Sequence, residues 1–132
     1  MAVKRAGQIV LTPFPYTDLS GSKLRPVLML RKASRFDDWL VCMVSSKLDQ
    51  ADAGFDEVLA PGDADFAVSG LKVPSALRLS RLAVLDASLL VGSIGSIGDE
   101  RLARIRQRLA EWIGEAAQSS LMPPAGKPCP PE

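Results

Sequence analysis

GQIVLTPFPYTDLSGSKLRPVLML, residues 7–30, sets two apolar runs on either side of a polar loop. Ile9, Val10, Leu11 and Phe14 are apolar, and Pro13 and Pro15 close the run, so residues 8–14 are predicted to form a strand. Residues 16–24 hold Asp18, Ser20, Gly21 and Ser22 together, the composition of a loop. Residues 26–31, PVLMLR, return to a continuous apolar run that reads as a buried strand.

The same pattern continues outward. Asp37 and Asp38 mark a turn, and residues 39–45, WLVCMVS, form the next buried strand. A polar connection over 47–55 leads to a short edge strand at 57–60 and a second loop at 61–70. Residues 75–85 alternate in part, Arg78 and Ser80 standing opposite Leu77 and Leu79, and 88–91 is a last short strand candidate. The clearest periodicity lies at 99–117. Leu102, Ile105, Leu109, Trp112, Ile113 and Ala116 recur at three- and four-residue spacing, the apolar stripe of an amphipathic helix. Asp99 and Glu100 suit its positive N-terminal end, with Ser96 or Asp99 as cap. Several short strands followed by one helix imply a small barrel or curled sheet with a helix packed on it.

The 132 residues suit one domain, expected over 1–118, and 47% hydrophobic content supplies a core. Residues 119–132 contain five prolines and no periodicity, so a frayed tail is expected. No apolar run approaches the roughly 18–20 residues a membrane span needs, and the start of the chain makes a poor signal peptide. A cytoplasmic location is the expectation. Cys42 sits in an apolar run and Cys129 in the tail, which suggests no disulfide framework. The chain has no histidine, so histidine triads and Cys/His zinc sites are excluded, and no metal site or cofactor is expected. Net charge is only +1, from 16 basic and 15 acidic residues, so any nucleic-acid contact must rest on a local patch.

Residues 7–30 resemble the N-terminus of MazF/PemK toxins, whose pattern is a strand beginning Gly-Asp/Glu-Ile/Val, a polar loop, then Arg-Pro and an apolar strand. Gly7-Gln8-Ile9-Val10 and Arg25-Pro26-Val27-Leu28 fit those anchors. VCMVSS at 41–46 resembles the family strand ending in Thr-Ser or Thr-Ala, and SALRLSRLAVLD at 75–86 the strand ending in Arg-Thr-Ile-Asp. The resemblance spans 7–113. It implies an α+β fold, a small SH3-like curled antiparallel β-barrel with a C-terminal amphipathic helix. It also implies a homodimeric toxin of a type II toxin-antitoxin system, a metal-independent endoribonuclease acting on single-stranded RNA and silenced by an antitoxin protein.

In that chemistry the substrate's own 2′-hydroxyl attacks phosphorus, which suits a histidine-free chain. The protein must stabilise charge on the phosphate and manage two protons. Arg25 takes the place of the family's catalytic arginine; its planar fork matches non-bridging oxygens, and Pro26 biases it toward extended backbone. Without the resemblance it would read as a surface arginine in an Arg-Pro turn. Ser45 stands where the family has a catalytic threonine, with Ser46 as its substitute; a strand-end serine bonding backbone is the bland alternative. Arg78 matches a second catalytic arginine, and would otherwise be an exposed strand arginine. Two residues on, the resemblance implies a carboxylate, but the chain has Ser80, leaving the general base unassigned; Asp18 is a weaker replacement. Lys23, Lys47, Lys72 and Arg81 are candidate phosphate contacts. Tyr16 is the preferred stacking platform for a base, ahead of Phe14 and Phe66. A gyrase-binding toxin on the same barrel, as in CcdB, and an inactive relative that still binds an antitoxin are the competing readings.

Overall fold

The computed structural model describes residues 4–13 and 23–115. Six antiparallel strands form one curled sheet: β1 (Gln8–Thr12), β2 (Arg25–Lys32), β3 (Asp38–Ser45), β4 (Glu57–Leu59), β5 (Ser75–Asp86) and β6 (Gly92–Ser96), in the order β4-β5-β3-β2-β1-β6. A one-turn helix α1 (Phe66–Ser69) precedes β5, and α2 (Asp99–Gly114) closes the described chain. The architecture is a curled antiparallel half-barrel with a C-terminal helix, in agreement with the curled β-barrel and helix expected.

Both faces of the sheet are covered, and this is why its strands read as unbroken apolar runs. Successive side chains leave opposite faces. Ile9, Leu28, Leu30, Cys42, Val44, Leu77 and Leu79 form one cluster with Ile105 and Leu109 of α2. Val10, Val27, Met29, Trp39 and Val41 form a second with Ala87 and Leu90. Burial raises the Cys42 thiol pKa, with the Asp56 charge adding to the effect, so this cysteine is an inert part of the core.

Four expectations need correction. The strand predicted at 88–91 is a 3-10 turn at Ala87–Leu89, and the last strand is β6, whose sequence GSIGS shows no apolar alternation. What selects those residues is the close approach of α1, absent from the expected loop at 61–70. A Cβ on Gly95 would collide with the Val68 and Ser69 backbone, and one on Gly70, at φ +79, with the Ile94 carbonyl. The first strand ends at Thr12, and Phe14 lies outside the described residues. The helix cap also differs: Ser96 belongs to β6, and Gly98 holds the cap position. The Gly98 N–H donates to Asp65 Oδ2 at 2.9 Å, so a carboxylate from another element does the capping.

In α2, Ile105 and Leu109 are buried, but Trp112 and Ile113 are 51% and 69% exposed, so the apolar stripe fades in the last turn. Ala116 lies outside the described residues. Trp112 instead packs on Phe55, ring centres 5.2 Å apart. Much of the helix's anchoring is ionic. Glu57 on β4 accepts from Arg101 Nη1 and Arg104 Nε, both at 2.8 Å, and pairs with Arg108 Nη2 at 3.3 Å. Arg101 also donates to Asp65 at 2.8 Å and pairs with Asp63 at 3.2 Å. Burial alone would raise the pKa values of Glu57 and Asp65. The arginine hydrogen bonds and charges outweigh it and hold both below the ordinary carboxylate values.

Candidate functional site

Strand register gathers the predicted site at one end of the sheet. Arg25 opens β2 opposite Thr12 of β1, and Ser45 closes β3 opposite Ala76 of β5. One row further along, Val27 pairs with Met43, and Met43 with Arg78. Continuing the β2–β3 register by two residues sets Arg25 beside Ser45. Residues directly opposite, or two apart on a strand, share a face. Arg25, Ser45 and Arg78 therefore stand on one face within two neighbouring rows. Strand spacing and rise put the two arginine Cα atoms about 12 Å apart, a gap that long side chains can close around a phosphate.

Each side chain is positioned differently. Arg25 is half-buried at the first position of β2, immediately before Pro26. Thr12, behind it, is locked by donating from Oγ1 to the Leu89 carbonyl at 2.8 Å. Ser45 Oγ accepts from the Lys47 N–H at 3.1 Å, so the backbone contact of the bland reading is present. That bond uses a lone pair and leaves the hydroxyl proton available to donate. Ser46 and Lys47 are exposed beyond it.

Arg78 is not an exposed strand arginine. Its side chain is 12% exposed, and Nε lies 3.5 Å from Oδ2 of Asp56, whose side chain is fully buried. Asp56 immediately precedes β4, and the acid run 56–57 before an edge strand was the only trace of it in the sequence. Its Oδ1 accepts from Ser80 N at 3.0 Å and Ser80 Oγ at 3.1 Å, and Oδ2 from Asp52 N at 2.9 Å. The serine in the place of the implied carboxylate thus holds a carboxylate delivered from another segment.

The alternation over 75–85, only partial in the sequence, breaks here. Cys42 pairs with Leu82 while the next residue, Met43, pairs with Arg78, so Leu79, Ser80 and Arg81 bulge from β5. Arg81 is exposed on that bulge. Lys23, Lys47 and Lys72 are also exposed. They lie where the chain enters β2, leaves β3 and approaches β5, all at the sheet end that carries Arg25 and Ser45. Phe66 does not serve as a stacking platform: it opens α1 and packs half-buried against the first core cluster. Tyr16 and Asp18 lie outside the described residues. Among the described residues no three metal-ligating side chains converge, and no helix is long and apolar enough to cross a membrane.

The model for PemK-like, MazF-like toxins of type II toxin-antitoxin systems matches residues 5–113, which takes in every strand and nearly all of α2. The chain belongs to this toxin family. No curated protein sequence matches it. Among solved structures, MazF from Deinococcus radiodurans is 21% identical, covers 86% of this chain and 99% of its own, and superposes with a TM-score of 0.61. A mycobacterial endoribonuclease in complex with its cognate antitoxin is 14% identical over 86% of this chain and 97% of its own, with a TM-score of 0.60. Mycobacterium tuberculosis toxin MazF-mt6 is 15% identical over 80% and 95%, with a TM-score of 0.58. At these identities the likeness carries the fold, and the family membership rests on the sequence model.

Proposed function

We propose that this toxin is an endoribonuclease that cleaves single-stranded RNA without a metal ion. The observation that carries the reading is the register of β2, β3 and β5, which aligns Arg25, Ser45 and Arg78 on one face inside the family match. In the reaction the RNA 2′-hydroxyl loses its proton and its oxygen bonds to phosphorus. The bond from phosphorus to the 5′ oxygen breaks, and that oxygen takes up a proton. The products are a 2′,3′-cyclic phosphate and a free 5′-hydroxyl. Arg25 and Arg78 bind the non-bridging oxygens and stabilise the charge that builds there. Ser45 donates a hydrogen bond to the same phosphate. Lys23, Lys47, Lys72 and Arg81 track the flanking backbone, and Tyr16 stacks on a base.

The active form is a homodimer, supported by apolar surface left exposed at Val84, Leu89 and Val91. A cognate antitoxin covers the basic end of the sheet and blocks RNA. The test is incubation of the purified protein with a long RNA in excess EDTA, followed by end analysis. Cleavage with 5′-hydroxyl termini is expected. Activity lost in EDTA and restored by magnesium or manganese would overturn the mechanism.

A further inference from the structure

Arg78 presents an unusual combination. Its Nε is buried and has no hydrogen-bond partner among the described residues, yet a carboxylate oxygen of Asp56 lies 3.5 Å away. A buried polar atom without a partner is costly, so its persistence needs a reason. The carboxylate is itself restrained, because Ser80 N, Ser80 Oγ and Asp52 N all donate to it. It is fully buried, so a substrate hydroxyl has no route to it. A base must reach the proton it removes, and Asp56 cannot.

We infer that Asp56 is a positioning residue for Arg78: clamped by Ser80 and the Asp52 amide, it holds the guanidinium through Nε and leaves the end-on pair of Nη groups for the RNA phosphate. This rests on the RNA-cleaving reading proposed above. A guanidinium has two usable edges, and fixing one by charge orients the other without consuming it. At 3.5 Å the two groups form an ion pair without a hydrogen bond, so it is the Asp56 charge that orients the guanidinium. The β5 bulge is what makes the clamp possible, because Ser80 is released from pairing with β3 and its N–H is free to reach Asp56.

The test is single-turnover cleavage across RNA concentration and pH, with melting temperatures, for wild type, Asp56→Asn, Ser80→Ala, Asp56→Asn/Ser80→Asp, Arg78→Ala and Arg78→Ala/Asp56→Asn. Asp56→Asn lowers the maximal rate about tenfold to a hundredfold, the scale of a one-ångström misplacement, and changes the half-saturating RNA concentration little. Its pH profile keeps the wild-type shape. Returning a carboxylate at position 80 recovers part of the rate, which a merely structural role for Asp56 does not provide. In the Arg78→Ala background Asp56→Asn costs nothing more, because it acts through Arg78. Ser80→Ala, which keeps the charge, gives a smaller loss and remains informative if Asp56→Asn fails to fold. A folded Asp56→Asn at the wild-type rate overturns the inference, as does a lost limb of its pH profile, which would make Asp56 the base. If Asp56→Asn does not fold, a folded Ser80→Ala at the wild-type rate overturns it. Absence of cleavage by the wild type itself defeats the RNA-cleaving reading instead.

Discussion

Glu57→Gln isolates the ionic anchor of α2. The Glu57 side chain is 8% exposed and receives two arginine donors at 2.8 Å. Glutamine keeps one acceptor oxygen and puts an amide nitrogen where the other was. With the amide nitrogen at the Oε2 position, the less costly way round, one charge-assisted bond becomes a donor facing a donor, a loss of about 1.5–3 kcal/mol; at Oε1 it would face both Arg101 and Arg104. The loss stays below the roughly 3–5 kcal/mol of a stranded buried charge, because Arg101 keeps Asp65 and half-exposed Arg104 turns to water. The loss is therefore about 1.5–3 kcal/mol, or about 5–12 °C in Tm at roughly 3–4 °C per kcal/mol for a domain of this size. The variant also changes the acid limb. The folded-state pKa of Glu57 lies below its ordinary value of 4.5, so its stabilisation is complete above that pH and is lost as pH falls through the folded value. Asp65 behaves alike from its ordinary 3.8 downward. Urea unfolding followed by circular dichroism between pH 3 and 7 reads both effects. Wild type weakens as the pH drops into the carboxylate range, and Glu57→Gln starts lower at pH 7 and falls less steeply. A loss under about 0.5 kcal/mol at pH 7, the level of an ordinary surface substitution, would refute the assignment of the anchor.

Further outcomes follow from the site. Arg25→Ala reduces single-turnover cleavage by about a hundredfold or more with little change in Tm, and Arg25→Lys recovers only part, since ammonium keeps the charge but not the planar fork. Ser45→Ala costs less than Arg25→Ala, because a neutral donor bonds more weakly; equal losses would reverse the assigned ranking. The antitoxin and single-stranded RNA compete for one surface in a fluorescence titration, and simultaneous binding at undiminished affinity would place the antitoxin elsewhere. Light scattering at micromolar concentration reports a dimer, and a monomer throughout that range would count against a groove shared by two copies.

The strands and helix whose identity is set by apolar pattern were legible in the sequence: β2, β3 and α2 stand close to their expected bounds. The misses share one physical cause, contact between segments distant in the chain. β6 has a strand's pairing without a strand's composition, because Gly95 must admit α1. The helix cap is Asp65, 33 residues before the Gly98 it serves. Within the candidate site, Arg25 and Ser45 were named through the family resemblance, anchored on the apolar runs they border; the residues alone read as a surface arginine and a strand-end serine. Asp56 left only the acid pair 56–57 as a trace, because nothing local identifies partners as distant in the chain as Arg78 and Ser80. The arginines that hold Glu57 did leave a signal, recurring at 101, 104 and 108 along one face of α2, but one helix does not disclose what its face meets.

The bulge in β5 also frees the facing of the strand from its count of residues. Leu79 and Leu82 both meet the first core cluster, although in an unbroken strand residues three apart face opposite ways. The odd number of unpaired residues between Arg78 and Leu82 is what reverses the facing. Leu82 to Leu85 take their facing from Cys42 to Trp39, with which they pair, so one residue more or less in the bulge leaves Ala83 and Leu85 on the second cluster. Only a slip of the β3–β5 register itself by one residue would turn them away. The bulge is therefore the one stretch of β5 whose length can change while both cores stay as they are, and each such change reshapes the surface beside Arg78.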